Sequence, residues 1–210
     1  MDPGKACHEP KDNLFVSSSL KETANGSIHA PRCFTANGRY SGGVITDLVQ
    51  IRMLGEKKRG ENERFRRHLK SRDHSDRILR KLAEQVEDAI DCTACANCCR
   101  VATVKLSERD IERLSGSMRI KRAQFLKQFT TETVDEGIIL ARTEAGCTFL
   151  DGNTCLIYED RPDICQRFPH VVRGEGSILS RMWEFVDRAC YCPIVYNSLE
   201  AFKEETKFRT

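Results

Sequence analysis

The chain has 210 residues, enough for one domain with a real core plus some additional sequence. It is 40% hydrophobic and 31% charged, with 34 basic and 31 acidic side chains balancing to a net charge of +3. That composition excludes a chain disordered throughout, and the charge alone names no nucleic-acid or membrane partner. No window approaches the ~18 apolar residues of a membrane span, and Met1-Asp-Pro-Gly-Lys opens no signal peptide, so a cytoplasmic protein without membrane contact is expected. Reducing cytosol keeps thiols free; eleven cysteines therefore need a reason other than disulfides, and metal binding is the commonest.

Residues 1–43 are rich in Ser, Gly, Asn, Pro and Lys, lack hydrophobic periodicity and are expected to be a disordered tail. Cys7 and Cys33 fall in that tail without neighbours of ligand type and are excluded from any site. A cysteine-cluster metal-binding domain then spans residues 44–210, with leading helices over 44–90, a metal-binding core over 91–193 and a closing helix over 194–210. Val44, Ile45, Leu48, Ile51 and Leu54 recur at helical spacing, and the Pro-free run to Leu69 predicts one long helix. From Arg52 to Arg72 nine Lys or Arg stand against Glu56, Glu61 and Glu63. With few aromatics for stacking, this strip reads as a solvated face laced with ion pairs, and nucleic acid is not an expected partner.

A second helix carries Leu79, Leu82, Val86 and Ile90 on one stripe, capped by Asp73 or Ser75, and delivers the chain to Cys92. Ser107-Glu-Arg-Asp110 is a capping-box pattern opening a helix through Ile111 and Leu114, which Gly116 is expected to end. Phe125, Leu126 and Phe129 sit at core spacing on a further helix, and Ile138-Ile-Leu140 reads as a short strand. Asp151-Gly-Asn153 is a hairpin turn, predicted to place Cys147 in one arm and Cys155 in the other. Arg161-Pro162 starts a brief helix with Cys165 one turn inside, Ile178 to Arg188 is helical, and Ser198 to Phe208 closes the domain. The expected class is α+β, mainly helical: a small cysteine-rich metal-binding domain with a short β-hairpin.

The sharpest chemical signal is Asp91-Cys92-Thr-Ala-Cys95-Ala-Asn-Cys98-Cys99-Arg100. Taken as one helix at ~100° per residue, it puts Cys95 and Cys99 within about 60° of Cys92. Taken as a knuckle, each Cys-x-x-Cys curls both thiolates toward one ion. The expected metal ligands are Cys92, Cys95, Cys98, Cys99, Cys147, Cys155 and Cys165. Thiolates are soft donors that suit zinc and iron–sulfur clusters and exclude calcium and magnesium. Cys190 and Cys192 alternate along the chain, so at most one of them joins.

Tyr158 and Arg161 are candidate cofactor-binding residues, because a four-thiolate iron–sulfur site is anionic and a cation beside it tunes its potential. Asp160 is read as a helix cap. His170 is a possible substitute ligand but lacks a spaced partner. Tyr158 and Trp183 would line a substrate pocket if the chain were an enzyme; no catalytic set is assigned. No phosphate-binding Gly loop, dinucleotide fingerprint or Ser-centred elbow is present, so nucleotide chemistry has no support.

The order of these elements resembles the zinc- or iron-chelating cysteine-cluster family, the CxxCxxCC or YkgJ type. The matching residues are the run Cys92 to Cys99, Cys147-Thr-Phe-Leu150, Cys155-Leu-Ile-Tyr158 and Arg161-Pro-Asp-Ile-Cys165-Gln-Arg-Phe-Pro169, and the resemblance covers about Asp91 to Pro193. Ala96 stands where the family usually has Gly and Gln166 where Arg is common; Ala96 argues against a positive φ there and favours the continuous helix. The resemblance implies an iron–sulfur or zinc protein of generally unassigned reaction, with a related flagellin lysine methylase implying that some members use the cluster in enzymes. The function expected is an iron–sulfur cluster, [4Fe–4S], serving electron transfer or redox sensing with a redox partner or small-molecule substrate. Zinc as a structural or chelated ion, and a cluster-dependent methyl-transferring or oxidoreductase enzyme, are the alternatives.

Overall fold

The computed structural model describes residues 43–71 and 74–209. Of the tail expected over 1–43, residues 1–42, with Cys7 and Cys33, lie outside the described residues, as does the Asp73 cap. Helix α1 is Leu48–Lys57 and α2 is Arg59–Lys70. The single long helix of the sequence reading is thus two, broken at Lys58 (φ −93°, ψ 3°). Its predicted first turn is absent: Asp47 caps α1 by accepting the Gln50 amide at 2.8 Å. Ile45 is instead clamped in extended form by Asn197, which accepts its N–H at 3.1 Å and donates to its carbonyl at 2.9 Å.

Helix α3 is Asp76–Asp88, with Ser75 at its cap position but without a side-chain capping bond. With α9 (Ile178–Arg188) and α10 (Pro193–Glu205) it completes a helical layer around Ile51, Phe65, Leu79, Val86, Phe185 and Phe202, all essentially without exposure. Each such side chain contributes roughly 1.5–3 kcal/mol on burial. The closing helix starts earlier than predicted because Pro193, lacking an N–H, suits a first-turn position. Gly55 lets α1 lie against the end of α9: a Cβ there would stand 2.6 Å from the Ala189 carbonyl oxygen. The basic strip is partly neutralised from this layer, Lys58 pairing with Glu200 and Arg59 with Asp187.

A second, smaller core packs Leu106, Ile111, Leu114, Phe125, Leu140 and Phe149. It is built from α6 (Glu108–Ser117), α7 (Arg122–Phe129) and an antiparallel pair, β1 (Thr130–Thr133) with β2 (Gly137–Leu140). The capping box forms as read, with Ser107 and Asp110 each accepting the other's backbone N–H. Gly116 does not end α6; the reversal falls at Arg119, φ +54°. Two further two-residue pairs follow: β3 (Arg142–Thr143) with β4 (Gly146–Cys147), and β5 (Leu150–Asp151) with β6 (Thr154–Cys155). Among the described residues no helix is long and apolar enough to cross a membrane.

Candidate metal centre

The cysteine run folds as two short helices, α4 (Cys92–Cys95) and α5 (Asn97–Val101), separated by Ala96 at φ +47°. This corrects the continuous helix expected from Ala at that position. A left-handed alanine costs roughly 1–2 kcal/mol, and the surroundings over-determine it. Ala96 is itself buried, and its N–H donates to Cys92. Asn97 Nδ2 bonds the Tyr191 carbonyl at 2.7 Å, and Arg100 bonds the Cys95 carbonyl at 2.9 Å. Asp91 caps α4, its Oδ1 accepting from the Thr93 amide and hydroxyl and the Ala94 amide. On α5 the sulfurs of Cys98 and Cys99 are 4.0 Å apart.

Cys147 comes from β4, not from an arm of the Asp151-Gly-Asn153 hairpin as predicted. The turn closes tightly, setting Asp151 opposite Thr154 and Leu150 opposite Cys155, so Cys147 pairs with Arg142 in the preceding sheet. Gly146, at φ +126°, brings β4 so close to α5 that a Cβ would stand 2.7 Å from the Cys99 carbonyl oxygen. Arg142 fastens the same junction by donating to Ala102 and Arg100 carbonyls. Cys155 is placed by the hairpin, whose Asn153 donates to the Ala94 carbonyl at 2.8 Å while Arg100 bonds the Gly152 carbonyl at 3.0 Å.

Cys165 lies on α8 (Asp163–Gln166), which α6 holds in place. The buried Asp110 accepts the Asp163 amide at 3.0 Å, and Arg113 donates to the Asp160 and Arg161 carbonyls. Asp160 does not cap the helix; Pro162 precedes it, and Asp160 serves through its carbonyl. Cys192 is buried at the start of α10 and is a free thiol, whereas Cys190 is disulfide-bonded.

Burial, followed by the charge of neighbouring thiols, pushes Cys165 up to about 12, and burial likewise pushes Cys192 up to about 12. Cys92, Cys147 and Cys155 are raised first by burial as well. The hydrogen bond between Cys98 and Cys99 splits the pair, raising Cys98 and, with Arg100 and Arg161, lowering Cys99 to about 7. Crowded, buried thiols that resist deprotonation are relieved by a cation that binds thiolate, which is how metal affinity and thiol acidity are linked. Arg161 lies 3.7 Å over the Tyr158 ring, donates to the Tyr158 carbonyl at 2.8 Å, and favours the thiolate forms of Cys92, Cys99, Cys155 and Cys165.

Cys92, Cys98, Cys99, Cys147, Cys155 and Cys165 border one cavity of about 1280 Å³, together with Tyr158 and Arg161. Cys95 faces an adjoining small cleft. Among the described residues no three Cys, His, Asp or Glu side chains stand in position to hold an ion without moving. His170 also borders the cavity; its Nε2 is buried and lacks a hydrogen-bond partner among the described residues. Trp183 does not border it but lies 59% exposed on α9, which corrects the pocket role expected for it. Sequence reasoning left Cys192 open and missed Asn97, Arg100 and Arg142; the Arg directly after the Cys98-Cys99 pair was the available signal.

A mainly helical fold with its free cysteines gathered around a cavity and an adjoining cleft defines a cysteine-rich domain. Residues 91–193 match the family model CxxCxxCC, described as "Putative zinc- or iron-chelating domain". No curated protein and no solved structure matches the chain.

Proposed function

We propose that the chain binds an iron–sulfur cluster of the [4Fe–4S] type through cysteines drawn from Cys92, Cys95, Cys98, Cys99, Cys147, Cys155 and Cys165, and uses it for electron transfer or redox sensing. The observation that carries this reading is that these seven cysteines are all free thiols, collected on a common cavity and its adjoining cleft from five different elements. Thiolate is the donor that iron–sulfur clusters and zinc select, so the residues fit the group. Arg100, Arg142 and Arg161 are set around the thiols and suit the negative charge that a four-thiolate iron–sulfur site carries. Zinc held as a structural or chelated ion is the second reading, supported by the family description. A cluster-dependent enzyme is a third: a cavity of about 1280 Å³ exceeds the usual range for small-molecule sites, and Tyr158 borders it.

Anaerobic purification followed by metal and acid-labile sulfide analysis tests the reading. Brown protein containing iron and sulfide is the expected result. A colourless preparation with stoichiometric zinc and no sulfide rejects the cluster.

A further inference from the structure

The described residues contain eight free cysteines, and these fall into two groups. Cys92, Cys95, Cys98 and Cys192 share a small cleft between α4, α5 and the first turn of α10, closed by Ile90, Phe168 and Ile194. Cys99, Cys147, Cys155 and Cys165 reach the large cavity from α5, β4, β6 and α8, and none of the four borders the cleft. Cys92 and Cys98 border both spaces, so the groups are neighbours. Their joint is the Cys98–Cys99 pair: successive residues of a helical turn point ~100° apart, and the two sulfurs remain in hydrogen-bond contact at 4.0 Å.

We propose that the chain carries two metal centres, the first held by Cys92, Cys95, Cys98 and Cys192 and the second by Cys99, Cys147, Cys155 and Cys165. This rests on the metal-binding reading above and assigns Cys192, which that reading leaves out, as a ligand. Four thiolates complete the coordination of a structural zinc and equally of a [4Fe–4S] cluster, so eight free thiols make two full sets with no cysteine over. Different contacts tie each set to the cysteine run. The Asn97–Tyr191 bond ties the cysteine run to the approach to Cys192, while Gly146 and Arg142 tie β4 to α5 around Cys99. Cys192 also sits where the amides of Ile194 and Val195 favour its thiolate, at the N-terminus of a 13-residue helix.

Native mass spectrometry with parallel metal analysis tests the division, on protein loaded with zinc chloride and, separately, on protein reconstituted anaerobically with ferrous iron and sulfide. Wild type is expected to hold two zinc ions, or about eight iron atoms as two four-iron clusters. Cys192→Ser and Cys165→Ser should each lose half of the metal, and the double variant all of it. One centre per wild-type chain, or a folded Cys165→Ser variant without any metal, overturns the two-centre proposal and leaves the metal-binding reading standing. Wild type that takes up no metal under either loading overturns both. Should circular dichroism show Cys192→Ser unfolded, the wild-type count and Cys165→Ser still decide.

Discussion

Asn97 Nδ2 lies 2.7 Å from the Tyr191 carbonyl oxygen, a bond across 94 positions of sequence that joins the first residue of α5 to the residue ahead of Cys192. Through it the cysteine run and the last helix share one local frame. A residue that touches no sulfur thereby helps decide which sulfurs meet.

Asn97→Ala should therefore cost about 1–2 kcal/mol of stability, because a polar group next to the buried cleft loses its partner. It should also weaken metal retention by roughly 10–100-fold, as loss of groups that orient ligands does. Urea unfolding and competition with a chelator measure the two effects. Wild-type retention in the variant would show that the bond does not organise the centre.

Gly146 and Gly152 both have positive φ, but only Gly146 has backbone within reach of an added Cβ. Gly146→Ala should push β4 away from Cys99, cost about 2–4 kcal/mol and release metal. Gly152→Ala meets nothing within 4 Å, so it should cost only the roughly 1–2 kcal/mol of a left-handed alanine and keep its metal. Thermal melts with metal analysis separate the two; equal metal loss in both would contradict a specific role for the β4–α5 junction.

What could be read from the sequence was local. The Ser107–Asp110 capping box and the span Ile178–Arg188 were legible because caps and apolar period are written within one element. The seven cysteines could be nominated because thiol chemistry needs no fold. Three failures were decided at a distance. Ala96 is forced left-handed by bonds from Asn97 and Arg100, Lys58 breaks the first helix where it pairs with Glu200 of α10, and Cys147 changes partner because the next hairpin closes on Leu150 and Cys155. Strand β1 was missed although Thr130, Thr131 and Thr133 supply β-branched residues in the right place.

Thiol reactivity gives a separate readout in metal-free protein. Cys99, lowered to about 7 by the Cys98 hydrogen bond and by Arg100 and Arg161, should be alkylated first near pH 7.5. Cys165 and Cys192, pushed up to about 12 by burial, should be alkylated last. Removing a cation raises a thiol's pKa, so Arg161→Ala should slow labelling of Cys99. Peptide mapping after timed iodoacetamide treatment provides the order. Labelling of Cys192 ahead of Cys99 would contradict this account of the site's electrostatics.

His170 links the cavity wall to pH. Burial, then Arg188 and Arg181, hold its ring down to about 4, against an ordinary value near 6.5. Between those values the unfolded chain takes up a proton that the folded chain refuses, so stability falls as pH drops from about 6.5 to about 4 and this contribution levels off below. His170 has φ +69°, a conformation that Asn tolerates, which makes His170→Asn the suitable comparison. Urea unfolding at pH 7 and at pH 4.5 should show wild type losing about 1–2 kcal/mol more than the variant, less than the full shift implies because the cavity admits water beside the ring. An equal loss in both proteins would mean that the ring takes up its proton equally readily in the folded and unfolded chain, so that burial does not hold it neutral.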